Sequence, residues 1–516
     1  MEPKEAQRLI DEEILVLKTR RNTYAPISRL PSELLVKIFA ELRGDDDDDD
    51  DDGSGIVDVR AWHHVTHVCR HWRCVALNAT ILWTKPPAQL HEYTLLMLER
   101  SRTTPLKIKL HETTSQDTST AIFNHLGRID MLIAQQPKDA LDRLQRALLS
   151  SARTSSKMKS LQIDQTPVFS GPRFILRAST MRNLTSLTSL WFCGIIIDWQ
   201  MFPMRGLTDL ALIHLRSFAA LSFKQFIDVL RGMPRLEKLC FSFDDFQIES
   251  PPFTPEPLVM PHLVEFQLHD SPHAVIRSFI SHASFPQLQE FYVESRFNQN
   301  DDLTDYSATL NAVLPLFTKA SFGPLERLVV DRYLIIQPKT VPDHCLGEWQ
   351  FQFRAYWPDS HPNNGGNIRN TVTSVLALPG NPALDIIYLC LDDLDDLTSG
   401  DFVELFGHLP QLETIKINST HFQPVIDGLK ISPIHPSTQP IPFHNLTSLT
   451  LNQWRDSEPI SANDYSPGLL ADLCDHLTTR KQYGAGLRHL SIAWKVTPGE
   501  VRRLRDIVVD LKIDVE

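Results

Sequence analysis

No run of apolar residues in this 516-residue chain approaches the roughly 18 that a membrane span requires. The start, Met-Glu-Pro-Lys-Glu, has no apolar stretch of secretory type, so export is not expected. Cysteine is scarce: seven residues, at 69, 74, 193, 240, 345, 390 and 474, odd in number and without a Cys-x-x-Cys pair. They read as reduced, packed thiols, and the expected compartment is cytoplasm or nucleus. The glycosylation sequons at Asn183 and Asn445 are chance matches on that reading. Excess positive charge is also missing. The net charge is −12, and Asp45 to Asp52 is an unbroken run of eight aspartates without which the balance is only −4. Composition therefore gives no support to nucleic-acid binding, and no membrane association is expected.

Catalytic signatures are absent as well. There is no Gly-x-Ser-x-Gly, no phosphate-cradling glycine loop and no His-Glu-x-x-His. Cys474-Asp475-His476 places nucleophile, acid and base types side by side, but consecutive helix residues point about 100° apart and cannot form a triad. His63, His64, His67, Cys69, His71 and Cys74 resemble a metal cluster in composition only. Cys69 and Trp72 are expected on a packed apolar face, so no metal, no cofactor and no enzyme activity is expected.

What is present begins with a charged amphipathic helix over 4–21, with Ala6, Ile10, Ile14 and Leu17 on one face. Glu5, Asp11, Glu12 and Glu13 precede Lys18, Arg20 and Arg21, the order that suits the helix dipole. One stripe shorter than three heptads does not by itself define a coiled coil. A second helix starts at Pro31, where a missing N–H costs nothing, and carries Leu34, Leu35, Ile38, Phe39 and Leu42. The aspartate run then interrupts as a solvated, disordered loop over about 44–55. Helical patterning resumes near Asp58, with Val59, Trp62, Val65 and Cys69 on one face and Trp72, Val75, Ala76 and Ala79 after a bend. It closes at Ile81-Leu82-Trp83 before Pro86-Pro87.

Leu30-Pro31-x-Glu33-Leu34-Leu35-x-x-Ile38-Phe39, then Val65-x-x-Val68-Cys69-Arg70-x-Trp72-Arg73 and Leu82-Trp83, resembles the F-box. The likeness is nearest to fungal, basidiomycete-type F-box-like proteins in which a charged helix precedes the box. Thr80 departs from the proline common there, and the aspartate loop is an insertion, which loop-closure entropy tolerates. The resemblance implies a three-helix module over 26–87 that docks a Skp-type adaptor, and through it a cullin scaffold. The docking face it implies comprises Leu30, Pro31, Glu33, Leu34, Ile38, Phe39, Val68 and Trp72.

Beyond Pro87 a leucine-x-x-leucine-x-leucine motif recurs in ten copies, from Leu187-x-x-Leu190-x-Phe192 to Leu487-x-x-Leu490-x-Ile492, with a plausible earlier copy at Met158. One copy is read as Leu384-x-x-Ile387-x-Leu389. The first four intervals are 20, 29, 27 and 25 residues, near the leucine-rich-repeat period. Alternation predicts short strands with one buried face, and stretches such as Phe223 to Leu230 predict helices. The long interval from 325 to 384 is either a degenerate repeat or an ordered insertion, and Phe422 to Pro442 reads as a surface loop.

The expected architecture is α/β: helix 1–25, helical module 26–87, linking region 88–155, and an irregular leucine-rich-repeat horseshoe over 156–516. Its outward strand positions are Trp191, Asp209, Lys238, Glu265, Glu290, Tyr292, Arg327, Tyr388, Lys416, His489 and Trp494. Mixed charge with interspersed aromatics there suits a protein target. The favoured function is a substrate adaptor of a Skp–cullin–F-box ubiquitin ligase. The rivals are a scaffold acting outside ubiquitination and an enzyme on a repeat-like scaffold.

Overall fold

A computed structural model describes residues 3–43, 61–150, 157–165, 172–217, 222–243, 256–296, 303–317, 326–330, 333–337, 351–356, 369, 372–373, 376, 385–392, 397–419, 421–431, 441–452, 468–493 and 496–513. The aspartate run, Cys345, Asn363 to Gly366 and Trp494 lie outside them. The chain divides into two compact units, Met1–Asp209 with His214–Ala219, and Leu210–Ile213 with Ala220–Glu516. No helix among the described residues is long and apolar enough to cross a membrane.

The first unit opens with the helix Pro3–Thr23, which buries none of its residues. The helix Ser32–Arg43 follows, its first turn closed by the Pro31 carbonyl accepting the Leu34 and Leu35 amides at 3.1 and 3.2 Å. After it come Val65–Val68 and Arg70–Asn78, separated at Cys69. Cys69 is not packed as expected: it is half-buried, extended, and its Sγ accepts the Trp72 amide at 3.5 Å. A thiol at the helix start satisfies one of the amides that no intrahelical carbonyl can reach.

Leu35, Phe39, Trp62, Val65, Val75, Ala76, Leu82, Trp83 and Met97 form one core. Met97 belongs to the helix His91–Arg100, so the module's packing does not end at Pro87. Nor is 88–155 a linking region. The strands Leu106–Leu110 and Ile129–Gln136 pair in parallel, and the second pairs in turn with Ser160–Gln165, which pairs with Ser189–Cys193. Ile108 stands in register with Leu132, Leu161 and Leu190, the middle leucine of the motif. The motif hides because Pro105 takes the first position of one copy and Ala134 the last position of the next.

In the second unit, Lys238–Phe243, Glu265–Pro272 and Glu290–Arg296 pair in parallel, with Leu239, Phe266 and Phe291 in register. A second parallel run joins Arg327–Val330, Tyr388–Asp392, Thr414–Asn418, Ser448–Asn452, His489–Ile492 and Asp510–Ile513. Its register aligns Leu328, Leu389, Ile415, Leu449 and Leu490. The copy read at Leu384 is therefore displaced by two residues: Ile386, Leu389 and Leu391 are its buried positions. Strand alternation cannot detect a slip of two, because a period of two preserves the face.

The interval after 325 holds an ordered strand insertion. Tyr333–Gln337 runs antiparallel to Arg327–Val330 and to Phe351–Tyr356, and the latter pairs in parallel with Glu290–Arg296. The segment from Phe422 is not a plain surface loop either, since the helix Gln423–Gly428 buries Val425 and Ile426. Parallel neighbours need crossovers, and helices supply several. Their starts are well capped: Ser222 with Gln225, Thr398 with Asp401 and Thr497 with Glu500 form capping boxes.

Candidate functional site

The helix Ser32–Arg43 presents two different faces. Leu35 and Phe39 are fully buried, whereas Leu34, Ile38 and Leu42 are 44%, 38% and 59% exposed. Spacing of four places these three in one stripe along the helix surface. Pro31 and Glu33 are exposed beside it, and Leu30 is half-buried. Of the other expected docking residues, Val68 is 58% exposed and Trp72 is half-buried with its ring 5.1 Å from that of Phe39. Phe39 itself is a correction. A side chain with no accessible surface belongs to the core and cannot meet a partner directly.

The stripe rests on a rigid base. Arg43 Nη1 donates to the Ile81 and Leu82 carbonyls at 3.2 and 3.1 Å, tying the end of this helix to the turn Thr80–Trp83. Trp83 Nε1 donates to the Ala76 carbonyl at 3.0 Å, and the Arg100 guanidinium lies 5.0 Å from the Trp83 ring. His63 is held in an aromatic nest. Its ring is 4.2 Å from Trp62 and 4.9 Å from Tyr93, whose hydroxyl is hydrogen-bonded to His63 Nε2. His64, His67, His71 and Cys74 are exposed. Among the described residues, no three His, Cys, Asp or Glu side chains are placed to hold a metal ion.

In the second unit the expected outward positions fall into registered rows. Lys238, Glu265 and Glu290 are direct neighbours, and Lys238 Nζ pairs with Glu265 Oε2 at 2.6 Å. Arg327 and Tyr388 are neighbours too, the guanidinium 4.2 Å from the ring. His489 faces Asp510, Nδ1 to Oδ2 at 3.1 Å, and Lys416 lies between Cys390 and Thr450. In the first unit Trp191 is half-buried beside Gln162, and Asp209 accepts the Thr208 hydroxyl at 2.5 Å.

Tyr292, expected outward, is only 9% exposed. The His269 ring covers it at 4.7 Å, and its hydroxyl donates to Glu294 at 3.3 Å. Around it runs a polar chain that the motif does not reveal. Gln267 donates to Glu265 at 2.6 Å, His269 meets Gln267 at 3.1 Å, and His269 Nδ1 lies 3.4 Å from Glu294. The available signal was strand length, since Glu265–Pro272 and Glu290–Arg296 run beyond the motif. Register shifts between Leu268 and Ser271, where Asp270 adopts φ 43°, a bulge that closes the regular alternation.

Residues 27–86 match the F-box-like domain family. The match covers the buried core from Leu35 to Trp83 and the exposed stripe of Leu34, Ile38 and Leu42. An F-box-like domain is generally a module that binds Skp-type adaptors. No curated protein matches the chain. Among solved structures, the crystal structure of a TLR13–ssRNA13 complex is similar at 12% identity and a TM-score of 0.32. That likeness covers 80% of this chain and 45% of the other, so the chain spans less than half the length of that relative.

Proposed function

We propose that this protein is the substrate-recognition adaptor of a Skp–cullin–F-box ubiquitin ligase and carries no catalytic chemistry of its own. The observation that carries the reading is the F-box-like match over 27–86 together with the exposed aliphatic stripe of the helix Ser32–Arg43. A stripe of Leu34, Ile38 and Leu42, with Pro31 exposed at its start, suits a partner groove that accepts aliphatic anchors. The registered parallel strands are proposed to be a leucine-rich-repeat-like array whose polar strand face holds a target protein. Lys238, Glu265, Glu290, Arg327, Tyr388, Lys416 and His489 offer mixed charge and aromatic surface for such a partner. Holding the target near a ubiquitin-loaded enzyme raises the effective concentration of its lysines.

Co-purification with a Skp-type adaptor tests the reading. Leu34→Asp/Ile38→Asp changes only exposed side chains and is expected to abolish capture while circular dichroism stays unchanged. Wild-type protein that fails to capture the adaptor would overturn the proposal. F-box-dependent turnover of a captured target would then separate ubiquitination from a purely scaffolding role.

A further inference from the structure

The helix Pro3–Thr23 leaves all its large aliphatic side chains in solvent. Leu9, Ile10, Ile14, Leu15, Val16 and Leu17 are each 41–66% exposed, and no residue of the helix is buried. An isolated helix gains little from propensity alone and normally owes its stability to packing of its apolar face. Ile10, Ile14 and Leu17 follow the four-then-three spacing of a coiled-coil seam. The residues flanking that seam are ionic: Asp11 and Lys18 lie along one side, Glu13 and Arg20 along the other. Arg8 is already engaged within the helix, to Glu5 and Glu12.

We propose that this helix pairs antiparallel with the same helix of a second copy of the chain. Setting Ile14 against the second copy's Leu17 makes the seam self-complementary about a two-fold axis. Flanking positions on the same side then face each other. Asp11 meets the second copy's Lys18, and Glu13 meets its Arg20, each pair occurring twice. Shifting the antiparallel register by one heptad instead opposes Asp11 to Asp11 and Glu13 to Glu13. Parallel pairing keeps only the Glu13–Lys18 attraction and aligns the two helix dipoles unfavourably. Flanking charge is what selects orientation and register in short helix pairs. One helix pair is a small interface, so a concentration-dependent monomer–dimer equilibrium results. The pairing does not depend on the adaptor reading, since it uses neither Leu34 nor Ile38.

Sedimentation equilibrium of the full chain tests it, with three variants confined to this exposed helix. Wild type is expected to dimerise reversibly, and Ile14→Asp/Leu17→Asp to remain monomeric. Asp11→Lys/Arg20→Glu keeps net charge constant but opposes like charges on both sides, and is expected to weaken the dimer at least about tenfold. Adding Glu13→Lys/Lys18→Glu to it restores all four attractions and is expected to restore the dimer. A wild type that stays monomeric overturns the proposal, as does a dimer indifferent to Ile14→Asp/Leu17→Asp. A dimer that survives Asp11→Lys/Arg20→Glu unchanged overturns the register that pairs Asp11 with Lys18 and Glu13 with Arg20.

Discussion

Arg480 shows how one residue can organise a region that pattern reading assigns to a loop. It is fully buried, and burial pulls its pKa down to about 10. Its Nη1 donates to the Pro442 carbonyl at 3.0 Å and its Nη2 to the Phe443 carbonyl at 2.6 Å, with the Leu429 carbonyl oxygen at 3.5 Å. One guanidinium on the helix Leu469–Gln482 therefore joins the chain at Leu429 to the chain at Pro442 and Phe443. Arg480→Met is expected to cost about 3 kcal/mol, because the carbonyls stay buried without their donor. Denaturant unfolding of the two proteins measures this directly. Burial sets the reactivity of the cysteines as well. Burial, reinforced by Asp164, pushes the Cys193 thiol up to about 12, and burial also raises Cys474, while Cys74 is exposed. Since the thiolate is the nucleophile, alkylation of native protein near pH 8 should label Cys74 and spare Cys193 and Cys474. Peptide mass mapping before and after denaturation decides it.

Among elements, the helix Ser32–Arg43 departs furthest from what its periodicity conveys. Periodicity gives a broad apolar stripe but not its division, because seven apolar residues on twelve cover more than one face. Leu35 and Phe39 turn inward because Trp72, Val75 and Trp83 supply a surface for them. Phe39→Ala should therefore destabilise the module by about 3–5 kcal/mol, whereas Ile38→Ala should cost little stability. Thermal melts of the two variants separate these outcomes. A comparable core runs between strands in the second unit. Phe266 stacks on Phe279 at 5.2 Å, and Phe241 meets Phe279 at 5.2 Å and Phe226 at 5.2 Å. The helices Phe223–Arg231 and His273–His282 thus share their aromatic packing with adjacent strands, as units that cannot bury a face alone must. Phe279→Ala is expected to cost about 4 kcal/mol and to loosen both helices in hydrogen exchange.

At the scale of the whole molecule, the boundary at residue 87 is the prediction to test. Met97 completes the helical core, Arg100 covers Trp83, and Lys107 donates its amide to the Thr84 carbonyl at 3.0 Å. Fragment 1–87 should then fail to show a cooperative melt, whereas fragment 1–219 should unfold in one transition. Sequence by itself determined the helical module with its Leu-Pro and Cys-Arg-x-Trp-Arg signature, and the inward face of nearly every motif strand. Both follow from local periodicity, which a chain carries without knowing its neighbours. Tertiary structure alone decided which apolar residues of the helix at 32–43 stay exposed, and that the sheet begins at Leu106. It also decided that Tyr292 is covered by His269, and that an antiparallel strand stands between Arg327–Val330 and Phe351–Tyr356. These depend on partners distant in sequence, because burial and strand order are properties of the pairing and of no single segment.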